Sequence, residues 1–384
     1  MSRPQPSYTL ITNKQSLIHL AEKLKKESVI GVDLEADSMF HYQEKVCLIQ
    51  ISTPFRNFII DPLGLEDLSS IAPIFSDVRV RKIFHGADYD IRSLYRDFGI
   101  EVNNLFDTQI AASFLGVTEL GLAALLKNRL GVELDKKYQR RDWSKRPLPP
   151  AMLAYAIHDS CYLIELNRIL ENELRNKKRL LWVKEECERL SQVRPLPPSN
   201  NPFFMKFKNA RKLDARSLAV LESILKLRDE IARRRDRPPF KIFSNEAIMG
   251  IALNKPLVLK DLEQIKGLST SQIQMMGHSI LKRVEASLAL PKNKLPAFPK
   301  KTRQQKSSTA SEKTNKLKFW RERRAKDFGI DPGLLCTNAQ IELLARAFPK
   351  NRKDLESVDI LRQWQKRLYG QEILDLLKPN HPTS

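Results

Sequence analysis

The stretch SVIGVDLEAD, residues 28–37, sets two acids where a buried strand is expected. Val29, Ile30, Val32 and Leu34 are strand formers, yet Asp33 and Glu35 stand among them. An unpaired carboxylate in an apolar setting is very costly. Strand side chains alternate between faces, so positions 33 and 35 project to the same side. Two carboxylates held side by side repel, and protonation or a cation relieves them. Oxygen-rich sites with several carboxylates suit Mg²⁺ or Mn²⁺. Taken alone, the pattern also describes an edge strand with a solvated acidic face, so other residues must decide it.

Two further acidic elements bear on the choice. FHGADYDIRSL places Asp90 on a helix directly after a strand, and YAIHDS places Tyr155 and Asp159 four residues apart, on one face of a helix. Each alone has an ordinary reading. Asp88 can cap the helix start, Asp90 can favour the positive helix N-terminus, and Tyr155 can be a half-buried core aromatic. His158 beside Asp159 forms an HD pair of the kind metal phosphohydrolases use, but the six histidines are not arranged to supply the other ligands.

The elements that must position these residues come in three parts. Four short apolar runs read as strands: SVIGVDLE, VCLIQIST (46–53), NFIIDP (57–62) and RKIFHG (81–86). Helices then dominate. One spans 88–99 and ends at Gly99, one spans 107–116 from an N-cap at Asp107, and a long amphipathic one spans 150–174 with a proline near its start. Strands followed by helices imply an α/β architecture, a mixed sheet covered by helices. SQVRPLPPSNNP (191–202) reads as a linker. No strand pattern returns after it; helical segments from 214 to about 290 form a second unit. Residues 291–318 read as a basic, flexible tether. From 291 to 326 thirteen Lys and Arg face only Glu312 and Glu322. A last helical unit follows.

The bulk numbers agree with that division. A chain of 384 residues holds two or three domains, at roughly 100–200 residues each. The formal charge of +21 and a pI near 9.8 point to a polyanion, most commonly nucleic acid. No apolar run reaches the roughly 20 residues that span a bilayer, and MSRPQPSYTL lacks a secretory h-region. Cys47, Cys161, Cys187 and Cys336 are scattered without a CxxC pair, which suggests neither a zinc site nor a disulfide framework. A reducing cytoplasm is the expected location.

Taken together, the DxE on a first strand, an Asp after a later strand and Y-x-x-x-D on a late helix resemble the DEDD superfamily of 3′–5′ exonucleases, in its Tyr variety. VCLIQIS, FHGADYDIRSLYRDFGI, LFDTQIAASFLG and KKYQRRDWSKRPLPPAMLAYAIHD resemble the ribonuclease D family and related exosome-associated exonucleases over most of residues 25–175. EADSMFHY departs from the ribonuclease D form and sits nearer to other branches, which bears on substrate choice. The resemblance implies a ribonuclease H-like sheet in an exonuclease domain over 1–190. Asp33, Glu35, Asp90 and Asp159 would then hold two divalent ions, Mg²⁺ or Mn²⁺, with Asp33 between them and Tyr155 orienting the attacking water. After a linker at 191–207, residues 208–290 resemble an HRDC domain. Beyond the tether at 291–318, residues 319–384 are similar to a second, HRDC-like module.

Other residues carry weaker expectations. Asp107 reads as a helix cap, and Trp143, next to Asp142, as packing. Lys136, Lys137, Tyr138 and Arg140 form a basic loop with one aromatic, suited to a single strand or simply solvated. Arg233, Arg234, Arg235 and Arg237 suit phosphate contact without sequence readout. The expected protein is a monomeric 3′–5′ exoribonuclease without membrane partners, releasing nucleoside monophosphates from RNA 3′ ends, tRNA precursors included. Three rivals remain: a DNA exonuclease, a non-catalytic RNA-binding protein with a relict site, and a plain basic scaffold. The intact set of acids argues against the second, and the third leaves the strand carboxylates unexplained.

Overall fold

Six strands form one sheet: β1 (Thr9–Ile11), β2 (Val29–Ala36), β3 (Val46–Ser52), β4 (Asn57–Ile60), β5 (Arg81–Phe84) and β6 (Leu105–Asp107). Their order in the computed structural model is β1-β4-β3-β2-β5-β6. The structure describes residues 6–65, 67–135, 137–197, 200–299 and 308–378. β3 runs antiparallel to both β2 and β4, while β1–β4, β2–β5 and β5–β6 pair in parallel. The sheet is mixed, as the sequence implies. β1 and β6 leave no signal in the sequence, because three residues are too few to show an alternation.

Pleating gives the two faces different jobs. Val32 and Leu34 point into the main core with Ile49, Ile51, Phe58 and Ile60. Gly31, Asp33 and Glu35 occupy the other face, in register with Ser52, Gln50 and Leu48 of β3. A smaller cluster containing Leu48, Ile59, Trp143, Leu153 and Ile157 covers part of that second face. The apolar and acidic residues of β2 therefore belong to opposite sides of one sheet, which answers why a core strand carries acids.

The nuclease-side helices are α1 (Lys14–Leu24), α2 (Ala72–Ser76), α3 (Asp88–Phe98), α4 (Thr108–Leu115), α5 (Leu122–Leu130), α6 (Pro150–Ala156), α7 (His158–Cys161), α8 (Leu163–Asn176) and α9 (Leu180–Ser191). α3 and α4 stop at Gly99 and Gly116, both in the left-handed conformation that glycine adopts without strain. The long helix expected over 150–174 is three segments, α6, α7 and α8. The single-residue breaks at Ile157 and Tyr162 keep right-handed helical angles, so the path continues while its winding changes locally.

A second compact unit comprises residues 37–45 and, within the described residues, 196–302. Its helices are α10 (Ala215–Arg234), α11 (Asn245–Asn254), α12 (Leu259–Glu263) and α13 (Thr270–Leu288). Asp214 caps α10 by accepting from Arg216 N and Ser217 N, and Ser269 caps α13 in a reciprocal box with Gln272. In this unit Tyr42 donates its hydroxyl to Asp229 at 2.8 Å, and His41 Nδ1 lies 2.7 Å from Asp236.

The final helices, α14 (Ser308–Phe328), α15 (Pro332–Leu335), α16 (Asn338–Ala347), α17 (Arg352–Glu356) and α18 (Gln363–Leu377), belong to the same compact unit as the sheet. Trp182 of α9 stacks on Trp364 of α18 with centroids 4.7 Å apart. Arg362 forks onto Glu186 at 2.7 and 3.0 Å, and Glu185 accepts from the backbone N–H of Gln363 and Trp364. Residues 308–318, expected in the tether, instead open α14. No helix among the described residues is long and apolar enough to cross a membrane.

Candidate active site

The acidic face of β2 becomes a site because α7 can lie directly on it. A Cβ on Gly31 would fall 2.7 Å from the Ser160 carbonyl oxygen, so only glycine permits this approach. Directly opposite Gly31 in the strand register, Ser52 shares a hydroxyl hydrogen bond of 2.8 Å with Ser160. These contacts fix α7 and bring Asp159 to Asp33 and Glu35. One carboxylate oxygen from each of the three lies within 4.8 Å of the others.

Asp90 arrives from the far side, in the first turn of α3, and is 8% exposed. It is not among the three oxygens that crowd together, but its charge acts on both Asp33 and Glu35. Asp107 sets its position. Both oxygens of that buried carboxylate accept from the chain just before α3, Gly86 N at 3.1 Å and Ala87 N at 2.7 Å. Oδ1 also caps α4 through Gln109 N and Ile110 N. The cap on α4 is legible in the sequence; the hold on α3 depends on strand pairing and has no local signature. Asp88 does not cap α3 and pairs with Arg92 instead.

The electrostatics follow from crowding. Burial, then the charges of Asp159, Asp90 and Glu35, push the Asp33 carboxyl well above its usual range. Glu35 is raised by burial, then by Asp159 and Asp90. Asp90 is pushed up to about 7 by burial and then by Asp107, and Asp159 to about 7 by burial. No basic side chain is among the causes of any of these shifts. A cluster of hard oxygen donors that resist ionisation together has the donor chemistry that divalent cations satisfy.

Tyr155 stands between two aromatic rings. Trp143, fully buried, stacks on it at 6.2 Å, and Tyr138 meets it edge-on at 5.6 Å. Burial, then Asp159, Glu35 and Asp33, push its phenol upward. The hydroxyl therefore stays protonated at neutral pH. Trp143 is packing, as read from the sequence, but what it packs is the site tyrosine. His158 bonds to the Ala154 carbonyl and stands outside the acidic cluster.

Gln50 joins the site with no signal in the sequence. It lies opposite Asp33 in the strand register and is fully buried. Neither polar atom of its amide has a hydrogen-bond partner among the described residues. A buried orphan amide costs about 1–3 kcal/mol per unsatisfied group, and its place beside Asp33 makes it a polar wall of the site.

The comparisons with known proteins bear on this geometry. A family model for 3′-5′ exonucleases matches residues 8–175, and one for HRDC domains matches 217–284 and 314–377. The ribonuclease D of Sphingobium indicum is 30% identical over 378 residues, covering 97% of this chain and 95% of the relative. The chain belongs to the ribonuclease D family. As in that family, it is a 3′–5′ exoribonuclease, a hydrolase of phosphodiester bonds. Escherichia coli RNase D, described as an exoribonuclease involved in structured RNA processing, has a similar structure. Its TM-score is 0.72 at 27% identity, over 97% of this chain and 98% of that one. The catalytic core of RRP6 from Trypanosoma brucei gives 0.67 at 31% identity, over 76% of this chain and 82% of that one.

The expected RNA-contacting residues have different surroundings, each within its own unit. Lys136 lies outside the described residues. Lys137 and Arg140 are exposed, whereas Tyr138 turns half-buried onto Tyr155. Arg233 packs over the Tyr42 ring and pairs with Asp229. Arg234 and Arg235 line a groove of about 510 Å³ between α10 and α13 with Lys282 and Arg283, and Arg237 is exposed.

Proposed function

We propose that the protein trims the 3′ ends of structured RNA, tRNA precursors included, releasing nucleoside monophosphates. Asp33, Glu35, Asp90 and Asp159 would hold two divalent cations, Mg²⁺ or Mn²⁺. The convergence of Asp33, Glu35 and Asp159 within 4.8 Å carries this reading. Bound there, the cations supply Lewis-acid stabilisation of the attacking and departing oxygens in phosphodiester hydrolysis.

The chain's own groups do the rest. Ionised, the four carboxylates fix where positive charge can sit, and the β2 pleat sets Asp33 and Glu35 side by side. Asp107 holds the start of α3 and so the place of Asp90. Tyr155, kept protonated by its surroundings, donates a hydrogen bond that orients the attacking water; orientation is the role its raised phenol suits, not proton abstraction. Trp143 and Tyr138 fix that ring. The basic surface gathers the polyanion and raises its concentration near the site. We place this activity in the cytoplasm, where the four free cysteines remain reduced, and expect a monomer.

A digest of 3′-tailed tRNA and matched DNA oligomers, with Mg²⁺, Mn²⁺ or chelator, tests the reading. Stepwise mononucleotide release from RNA, silent in chelator, is expected. Equal degradation of DNA would favour the DNA exonuclease, and no cleavage of either would leave a binding protein.

A further inference from the structure

The C-terminal helical module presents one surface that packing does not explain. α14 buries Leu317, Trp320, Arg321 and Ala325 against the rest of its unit. Its opposite side carries Lys318, Phe319, Glu322, Arg323 and Lys326, and all five are exposed. Phe319 is 71% exposed in the middle of this charged face. Positions 319, 323 and 326 recur at helical spacing, so the ring, a guanidinium and an ammonium share one stripe. Glu322 is the one acid between 318 and 326, and it is engaged by Arg321 at 2.9 Å. Neither Lys318 nor Lys326 has an acidic partner among the described residues.

From this face we infer a binding site for single-stranded RNA, with Phe319 as a stacking platform for a base and Lys318, Arg323 and Lys326 as contacts to the phosphates on either side. An exposed aromatic flanked by two lysines without acidic partners suits a sequence-tolerant single-strand site, because every base has a π-face and every link a charge. Of the nearby acids, Asp327 is paired with Arg324 and Glu372 feels the charge of Arg323. A protein partner would meet a surface too basic and too poor in apolar area to exclude water. The platform is rigid, because α14 is pinned to the nuclease. Arg179 of the loop before α9 donates to the Phe328 carbonyl at 2.7 Å, and the Phe328 ring meets Trp182 edge-on. Held there, it engages the 5′ portion of a strand long enough to reach it. The inference rests on the exoribonuclease reading of the acidic site.

The test pairs Phe319→Ala with Phe319→Trp. All four native tryptophans are buried, so a Trp at 319 is the one open to an aqueous quencher. With a long oligoadenylate in chelator, Phe319→Ala should bind about tenfold more weakly than the native protein, the size of one lost stack. Saturating oligoadenylate should shield the Phe319→Trp emission from acrylamide. An affinity of Phe319→Ala equal to native, or quenching of Phe319→Trp unchanged by RNA, overturns the site. Melting curves of both variants matching the native one show that the fold is kept. If the native protein trims RNA while Phe319→Ala binds as it does, only this inference fails. If the native protein neither binds nor trims RNA, the exoribonuclease reading fails with it.

Discussion

Gly31 and Ser160 touch more closely than any side chain would allow: a Cβ at residue 31 would sit 2.7 Å from the Ser160 carbonyl oxygen and 3.2 Å from the Leu163 Cβ. The contact is backbone to backbone, so neither partner can swing away. It is the point at which the segment bearing Asp159 meets the strand bearing Asp33 and Glu35.

Gly31→Ala should therefore lift α7 from the sheet and part the carboxylates by a few tenths of an ångström. Misplacement on this scale is expected to lower kcat by about tenfold or more, with a measurable fall in Tm. Gly64→Ala is the control, since a Cβ there meets nothing nearer than 3.8 Å. Equal kinetics for the two variants would show that the close approach does not set the site.

The crowded acids predict an inverse relation between stability and activity. Asp33→Asn removes one ionisable carboxyl from a half-buried set whose charges repel one another. In chelator its Tm should rise by a few degrees, about 2–4 °C for each kcal/mol in a domain of this size. Hydrolysis should fall by about a thousandfold. Thermal melts beside the RNA digest check both. A lower Tm in chelator would mean that the native carboxylate is stabilising, contrary to the mutual repulsion of the four acids.

The same charges set a pH dependence. Asp90 and Asp159 sit at about 7 in the folded chain, whereas an unfolded aspartate titrates near 3.9. Between those values the native state keeps protons that the unfolded state has lost. Their stabilisation is full below the unfolded value and is lost as pH rises towards the folded one. Melting in chelator should accordingly weaken from about pH 4 to about pH 7, and added Mn²⁺ should restore stability most at the upper end. A chelator profile that strengthens over this interval would contradict the assignment.

Tyr155→Phe keeps the ring between Trp143 and Tyr138 and deletes only the donor. Turnover should drop by about a hundredfold with KM nearly unchanged. Tyr155→Ala should also lower Tm, because it empties the aromatic sandwich. A Phe variant with native turnover would remove the hydroxyl from the reaction.

Asp33 and Glu35 are legible in the sequence because they break an apolar pattern, Asp90 and Asp159 only through the family resemblance, and Asp107, Gly99 and Gly116 because caps and stops have local signatures. What escapes depends on partners distant in the chain. Gln50 is an ordinary polar residue in VCLIQIS until strand register puts it opposite Asp33. Gly31 is an ordinary strand glycine until α7 arrives. β1 and β6 pair through three residues each, too short for periodicity to show. The start of α14 is hidden for another reason. Residues 308–318 hold one large apolar side chain, Leu317, so no stripe announces the helix, although Ala, Glu and Lys favour it.

Manganese-soaked crystals test the central claim most directly, through an anomalous difference map at the manganese edge. Peaks are expected within direct coordinating distance of carboxylate oxygens of Asp33, Glu35 and Asp159, and they should be lost in Asp33→Asn. Manganese bound only elsewhere, in a protein that trims RNA in the same buffer, would contradict it.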